Sequence, residues 1–455
     1  MFYGTPLEVY EFLPHLDCGD CGLSSCIRFA VKLSDREKSL ESCPHLEKKQ
    51  AEGLRRCLKY SIRQIDVGVG KNSVVFGGED VAYRHEKRFF HPPPIFLELS
   101  DTMSDDELKE RIDFVSGFRP KVKGKTLHLD GFLLSESMGD AGFFLKLIRA
   151  LEDVDFPLIL KSKDLSVLAA ALEVVGGRNP LIYGANQENF ESVAKLALKH
   201  DCPVVLCGND LEGLEELSEK MQGFGVSDIV FQVPMVRSDL ADTTNRLYEL
   251  RKEGLGKNPL FSFPVLTDLT EIGFMRNELD SAFHESVLAS VCITRYAGAL
   301  ALSSRFDWSL LSVLIFREDL YSDPKKRPTV ESKLYSVGSP DKRSPVLVTS
   351  NFSATFYSVN QDLEDSSISA HLLAVDTGGL AVTVALASGI LTAAKIKDAI
   401  DRVGLEEVVG HKKLIIPGDA AQIAPETELL TGWSVEIGPR DSGEIKSYLE
   451  KMTNP

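Results

Sequence analysis

The sequence predicts an α/β chain in three parts: a small N-terminal cysteine module, a (β/α)8 barrel of the TIM type, and a C-terminal Rossmann-like, doubly wound unit. Three observations predict it. Four cysteines crowd the N-terminal segment, at Cys18, Cys21, Cys26 and Cys43. Short continuous apolar runs then alternate with amphipathic stretches, the pattern of parallel strands covered by helices. After a polar stretch carrying three prolines, a second strand–helix series has strands that end on Gly, Asp and hydroxylated residues.

Composition sets the outer limits. At 455 residues the chain is long enough for about three domains, and 43% hydrophobic content suits a soluble globular protein. A net charge of −16 argues against nucleic acid, whose binding needs basic neutralisation of phosphates, and against anionic membrane surfaces. The opening MFYGTPLEVYEFLPH lacks the basic and apolar regions of a signal peptide. Clustered thiols without disulfide-type spacing elsewhere place the expected compartment in the reducing cytoplasm. Leu372 to Ala394 has bilayer-spanning length, but Asp376 and Gly378-Gly379 lie inside it. A strand, a tight turn and a buried helix explain it better than a membrane span.

Residues 1–60 form the cysteine module. Thr5-Pro6 is a helix start, with Thr as cap and Pro in the first turn. Further helices are expected over Ser24–Ser34 and His45–Ser61. The cysteines are spaced C-x2-C-x4-C-x16-C and the last precedes Pro44. Soft thiolates select zinc or iron–sulfur centres. Zinc sites usually pair two C-x2-C units or add histidines. One pair followed by wider steps and a Cys-Pro ending favours a [4Fe–4S] cluster, with a structural zinc knot as the alternative. The other four cysteines, Cys57, Cys202, Cys207 and Cys292, read as small core hydrophobes.

Residues 61–318 read as the barrel. Its expected strands are IFLEL (95–99), TLHL (126–129), LILK (158–161), LIYG (181–184), PVVLC (203–207), IVFQV (229–233), LFSFPV (260–265) and ALAL (299–302). Eight units over roughly 240 residues match the size of such a barrel. FHESVLASVCITRYAG, next to the last unit, also has strand-like content. GVGKNS (68–73) lacks the upstream glycine and the hydroxyl after lysine of a phosphate loop, and reads as a plain loop. No convergent acid–base pair is visible for the barrel's C-terminal face; Asn186, Asn209 and Asp210 read as helix caps, and His85 and His128 as packed or hydrogen-bonded.

Residues 319–344 read as a linker and 345–455 as the third domain. Its strand ends hold Thr349 and Asn351, then Asp376, Thr377, Gly378 and Gly379, then Gly418, then Gly438 and Pro439. Small and hydroxylated residues at successive strand ends let a planar ligand approach the backbone. Ordinary turns carry the same residues, and both readings stand. No D-x-H-x-x-G occurs.

The chain resembles the large (gamma) subunit of the corrinoid iron–sulfur protein of the acetyl-CoA decarbonylase/synthase system. The resemblance spans the chain. PLEVYEFLPHLDCGDCGLSSC…CP and GGEDVAYRHEKRFFHPPP carry it at the front, and PVLVTSNFSATFYSV, LLAVDTGGLAV, KLIIPG and WSVEIGPRD at the back. It implies a methyl carrier of the reductive acetyl-CoA pathway, the corrinoid-dependent component of a methyltransferase. Its cobalt would take a methyl group from a methyl-tetrahydropterin and deliver it to the nickel centre of acetyl-CoA synthase. It implies a [4Fe–4S] cluster on Cys18, Cys21, Cys26 and Cys43 that restores reduced cobalt. It implies a base-off cobamide with no protein histidine on cobalt, in a pocket of Thr349, Asn351, Asp376, Thr377, Gly378, Gly379, Gly418, Gly438 and Pro439, with Thr377 nearest the open cobalt face. It also implies a heterodimer with a smaller (delta) subunit, and exchange with a pterin-dependent methyltransferase, acetyl-CoA synthase and a reductive activator, the third domain swinging on the linker. A cluster-bearing electron-transfer or scaffold subunit without corrinoid is the alternative.

Overall fold

A short segment with few apolar residues can bury little, and the N-terminal module shares that little among three helices. The computed structural model describes residues 5–58, 61–256, 258–270, 272 and 277–453. Helices α1 (Pro6–Glu11), α2 (Cys26–Ser34) and α3 (Lys48–Cys57) enclose Val9, Leu13, Phe29, Ala30, Leu33 and Leu54. Thr5 caps α1 as the sequence predicts, within a capping box closed by Glu8.

Eight parallel strands close into a ring next: β1 (Ile95–Ser100), β2 (Gly131–Ser135), β3 (Leu158–Lys161), β4 (Leu181–Ala185), β5 (Val204–Cys207), β6 (Ile229–Gln232), β7 (Val265–Asp268) and β8 (Ala299–Leu302). Closure is made by β8 on β1, where Leu300, Ala301 and Leu302 face Ile95, Phe96 and Leu97. Helices α4 (Asp105–Gly117), α5 (Ala141–Ala150), α6 (Leu165–Val175), α7 (Phe190–His200), α8 (Leu211–Gly223), α9 (Leu240–Leu255), α10 (Glu278–Thr294) and α11 (Asp307–Tyr321) each follow a strand.

Two strands differ from expectation. TLHL is not in the ring: Lys125–Thr126 form half of a two-residue exposed hairpin, and Gly131–Ser135 take the place in the barrel. Gly131 fits because its partner Phe96 lies where a side chain would stand; a Cβ would come within 2.6 Å of that ring. Within LFSFPV the chain makes a 3₁₀ turn at Pro259–Phe261, and the strand starts only after Pro264, which has no N–H for the ladder. FHESVLASVCIT is helical throughout, inside α10.

An unexpected hairpin, Ile62–Val67 with Val74–Glu79, stoppers the ring from its amino-terminal side. Ile65, Val67 and Phe76 pack with Phe96, Leu133, Ile159, Leu181 and Val230 of the interior. Arg63 and Gly68 donate backbone bonds to Ser262 and Asn179, in the loops entering β7 and β4. Gly77 sits at φ 74°, and any Cβ there would strike the Arg63 carbonyl at 2.3 Å.

The module and barrel make one compact unit, up to Pro120 and over Thr126–Ser322; Lys121–Lys125 and the chain from Asp323 onward make a second. In the second, β9 (Leu334–Val337), β10 (Val346–Ser350), β11 (Ala370–Val375), β12 (Lys413–Ile416) and β13 (Ser434–Ile437) form one sheet in the order β9-β11-β10-β12-β13. All are parallel except β9, which pairs antiparallel with β11. The stretch read as a linker therefore contributes an edge strand. Its polar composition suits a strand with one face toward water. Leu373, Val375, Leu414, Ile416 and Trp433 pack on one face of the sheet, and Leu347, Phe356, Leu372 and Ile415 on the other. Leu372–Ala394 holds the end of β11, a turn and a short helix, Val382–Ala387, and among the described residues no helix is long and apolar enough to cross a membrane.

Below the ring, Glu79 Oε1 accepts the amides of Phe90 (2.8 Å) and His91 (3.0 Å), while buried Oε2 has no hydrogen-bond partner and stands 4.0 Å from Arg251. Burial pushes this carboxyl up to about 7, against the pull of Arg251 and the two amides. The folded value lies above the unfolded one, so its stabilising share is complete below pH 4.5 and is lost as pH rises toward 7. Glu79→Gln is expected to remove about 3 kcal/mol of pH-dependent stability across that window. Denaturation midpoints at both ends of the window check it; parallel pH profiles for the two proteins would refute it.

Candidate functional site

The cysteine loop is shaped by backbone that few side chains tolerate. His15, Asp17, Gly19 and Gly22 all have positive φ, coiling residues 15–25 into a tight bowl. Asp17 ties its ends: Oδ1 accepts the Cys26 amide at 2.6 Å, and the Asp17 amide donates to Cys26 Sγ at 3.4 Å. Cys26 opens α2, whose N-cap Ser25 accepts the Arg28 amide. Cys43 closes a 3₁₀ turn, Leu40–Ser42, and packs with Cys21 against the module core.

The charges of the other three cysteines reach Cys43. Burial pushes the Cys43 thiol up; the His45 amide opposes, and the negative charges of Cys21, Cys26 and Cys18 raise it further. Mutual repulsion among four thiolates is relieved by a multivalent cationic centre, so the donor set fits an iron–sulfur cluster or zinc, as the spacing predicts. Beside it is a pair that sequence reasoning missed. His45 Nε2 lies 2.6 Å from Asp20 Oδ2, and ligand atoms of Cys18, Asp20 and His45 lie within 4.8 Å of one another at the exposed rim. The His45 hydrogen bond, with a second from Cys18, holds the Asp20 carboxyl below the usual range. Twenty-five residues separate Asp20 from His45, and only the fold joins them.

The second candidate site is a cavity of about 480 Å³ at the carboxyl ends of β10, β12 and β13, within the range of small-molecule sites. Thr349, Gly438 and Pro439 line it, as do Asp419 and Arg440, which the sequence analysis did not single out. Gly418 does not line it but braces two residues that do: its amide donates to the Pro439 carbonyl at 3.0 Å, and a Cβ would meet the Gly438 carbonyl at 2.8 Å. Thr349 is 2% exposed and its hydroxyl has no partner. A buried, unsatisfied hydroxyl on a cavity wall costs folding free energy and suits a polar ligand group.

The remaining predicted residues form a knot beside this cavity. Asn351 Oδ1 accepts the amides of Thr377 (3.0 Å) and Gly379 (3.2 Å), and its Nδ2 donates to Asp376 Oδ1 at 3.2 Å. Asp376 Oδ1 also accepts the Gly378 amide. Thr377, expected at an open face, is instead fully buried. Its hydroxyl lies 3.0 Å from Asn351 Oδ1 and 2.8 Å from the Leu380 carbonyl, both acceptors, so it holds the loop. Gly378, at φ 62°, has open space where a side chain would stand.

Comparison with known proteins follows this anatomy. A family described as CO dehydrogenase/acetyl-CoA synthase delta subunit matches residues 64–449, and one described as "Putative Fe-S cluster" matches residues 13–45. The acetyl-CoA decarbonylase/synthase complex subunit gamma of Methanopyrus kandleri is 38% identical over 98% of this chain and 97% of its own. Subunit gamma 1 of Methanosarcina thermophila is 37% identical over 100% of both chains. Among solved structures, dihydropteroate synthase from Thermus thermophilus in complex with 6HMPPP covers 57% of this chain and 100% of its own, at 14% identity and a TM-score of 0.41, a likeness that carries no argument.

The unpartnered Thr349 hydroxyl makes a signed prediction. Thr349→Val removes it at nearly constant volume, and should raise the stability of ligand-free protein by about 1 kcal/mol. Thermal or denaturant midpoints of the two ligand-free proteins check this; a lowered midpoint would mean that the hydroxyl is satisfied.

Proposed function

We propose a methyl carrier, from the premise that this chain belongs to the acetyl-CoA decarbonylase/synthase gamma-subunit family, the large subunits of corrinoid iron–sulfur proteins. It accepts a methyl group from a methyl-tetrahydropterin and delivers it to the nickel centre of acetyl-CoA synthase. The observation that carries the proposal is the pairing, in one chain, of a four-thiol module with a strand-end cavity holding an unpartnered buried hydroxyl.

When bound, the corrinoid supplies the methyl-carrying cobalt and the cluster the electrons that restore it to its reduced state. Cys18, Cys21, Cys26 and Cys43 hold the [4Fe–4S] cluster, and the Asp17 amide directed at Cys26 Sγ damps charge on that sulfur. Thr349, Gly438 and Pro439 would contact the corrinoid, with Gly418 bracing the last two. Asn351, Asp376, Thr377, Gly378 and Gly379 act through the loop they hold. The histidines of the second unit are not among the residues that would hold the corrinoid. His371 and His411 stand at the amino ends of β11 and β12, away from the cavity, with ring nitrogens on the Asp341 and Ser344 carbonyls. A delta subunit, a pterin-dependent methyltransferase, acetyl-CoA synthase and a reductive activator are the proposed partners.

Anaerobic purification followed by metal analysis and a visible spectrum tests this. The expected result is about four iron and one cobalt per chain. Iron without cobalt would favour the electron-transfer or scaffold alternative. In Cys26→Ala protein, reductive activation should be abolished while methyl transfer from pre-methylated protein persists; loss of both would make the cysteines structural.

A further inference from the structure

Two basic segments meet at the amino-terminal edge of the second unit's sheet. Asp341-Lys342-Arg343-Ser344 leads into β10, and His411-Lys412-Lys413 leads into β12. These strands are parallel neighbours, so their entries lie side by side. The Gly410 amide donates to the Lys342 carbonyl at 2.7 Å, and His411 Nε2 lies 3.0 Å from the Ser344 carbonyl. The sequence analysis read the first segment as linker and singled out neither.

Beside them is a cavity of about 680 Å³, larger than the one at the carboxyl ends, and Ile415 alone lines both. Its floor is apolar. Ile368, Ile415 and Leu449 belong to the packing of one sheet face, yet Ile368 and Leu449 are only partly buried. Leu449 and Met452, three residues apart, share a face of the C-terminal helix Ile445–Thr453 and line the same space. Apolar side chains left half wet around a cavity of this size forfeit burial that a ligand would restore.

The rim is cationic. Lys342, Arg343 and Lys413 line the cavity with a single carboxylate, Glu436, which stands 3.8 Å from Lys413. Lys412 pairs instead with Glu406. Lys342 and Arg343 are exposed, and neither is in an ion pair among the described residues. The Asp341 carboxylate takes the Arg343 amide at 2.8 Å and the Ser344 hydroxyl at 3.1 Å, while the Arg343 charge acts on it only through space. Water alone can satisfy an exposed lysine. Two uncompensated cations beside an apolar cavity, on a chain of net charge −16, point to an anion with a tail.

Each half of the cavity selects half of the ligand. Arg343 offers the planar fork that pairs with a carboxylate, and Lys342 adds a second charge. The floor offers no polar side chain to a tail, so the tail is hydrocarbon. We propose that this cavity binds an amphipathic carboxylate, one anionic head on an alkyl chain, with Lys342 and Arg343 holding the head and Ile368, Leu449 and Met452 the tail. Its occupancy does not depend on the methyl-carrier reading.

Calorimetric titration of octanoate into the anaerobically purified full-length protein, with its bound cofactors, tests it. Saturable binding with a Kd of about 1 mM or below is expected. Hexanoate, shorter by two methylenes, should bind about tenfold more weakly. Lys342→Glu combined with Arg343→Glu should weaken octanoate by about tenfold or more, at an unchanged melting temperature because both side chains are exposed. Either single reversal serves should the double variant fail to fold. Arg440→Glu, at the strand-end cavity, should leave octanoate binding unchanged. Absence of saturable binding, equal affinity for hexanoate and octanoate, undiminished binding to the charge-reversed protein, or an equal loss in Arg440→Glu would each overturn the proposal.

Discussion

Parallel strands all end on one side, and this constraint governs both units. In the barrel, ring closure by β8 on β1 turns eight carboxyl ends toward one mouth. In the second unit, β10, β11, β12 and β13 run together and bring Thr349, Asp376, Gly418 and Gly438 to one edge. Residues distant in sequence meet there because the ladder sets their level, and the loops beyond are free to vary. The amino-terminal side does the opposite work. There the Ile62–Glu79 hairpin closes the barrel with Ile65, Val67 and Phe76.

The cysteine module obeys a different economy. Its core is the few side chains around Phe29 and Leu54, too little for a stable fold of its own. Ionising four neighbouring thiols without a metal would add repulsion to the deficit. A bound centre reverses the sign of both terms: the repulsion becomes ligation, and ligation supplies the missing cohesion. Asp17 prepares for this by clamping Cys26 from both its amide and its sulfur.

Much of this was legible in the sequence, and what was not has physical reasons. Continuous apolar runs such as LILK and IVFQV need burial on both faces, and they are barrel strands. TLHL has the same look but is flanked by Lys125 and Asp130. GFLLS, opening on a glycine that its neighbour Phe96 requires, displaced it. Propensity cannot report a neighbour's ring. The cysteines were readable because their spacing is local. The Asp20–His45 pair and the Asn351 knot were not, since each joins residues on separate elements. Thr377 shows the finer limit: a hydroxyl at a strand end looks like a ligand contact until its acceptors, Asn351 and Leu380, are seen.

The strand Leu334–Val337 has a consequence for how this chain can be divided. It covers the flank of β11 with four register pairs, from Leu334–Leu373 to Val337–Ala370. A fragment begun at Pro345, where composition alone would cut, leaves that flank bare, with the wholly buried AHLLAV strand presenting unpaired amides and carbonyls. Such an edge is a template for association between copies, and the excised domain would be sticky rather than unfolded. The natural place to cut is Asp323, some twenty residues earlier, so that the sheet carries its own border.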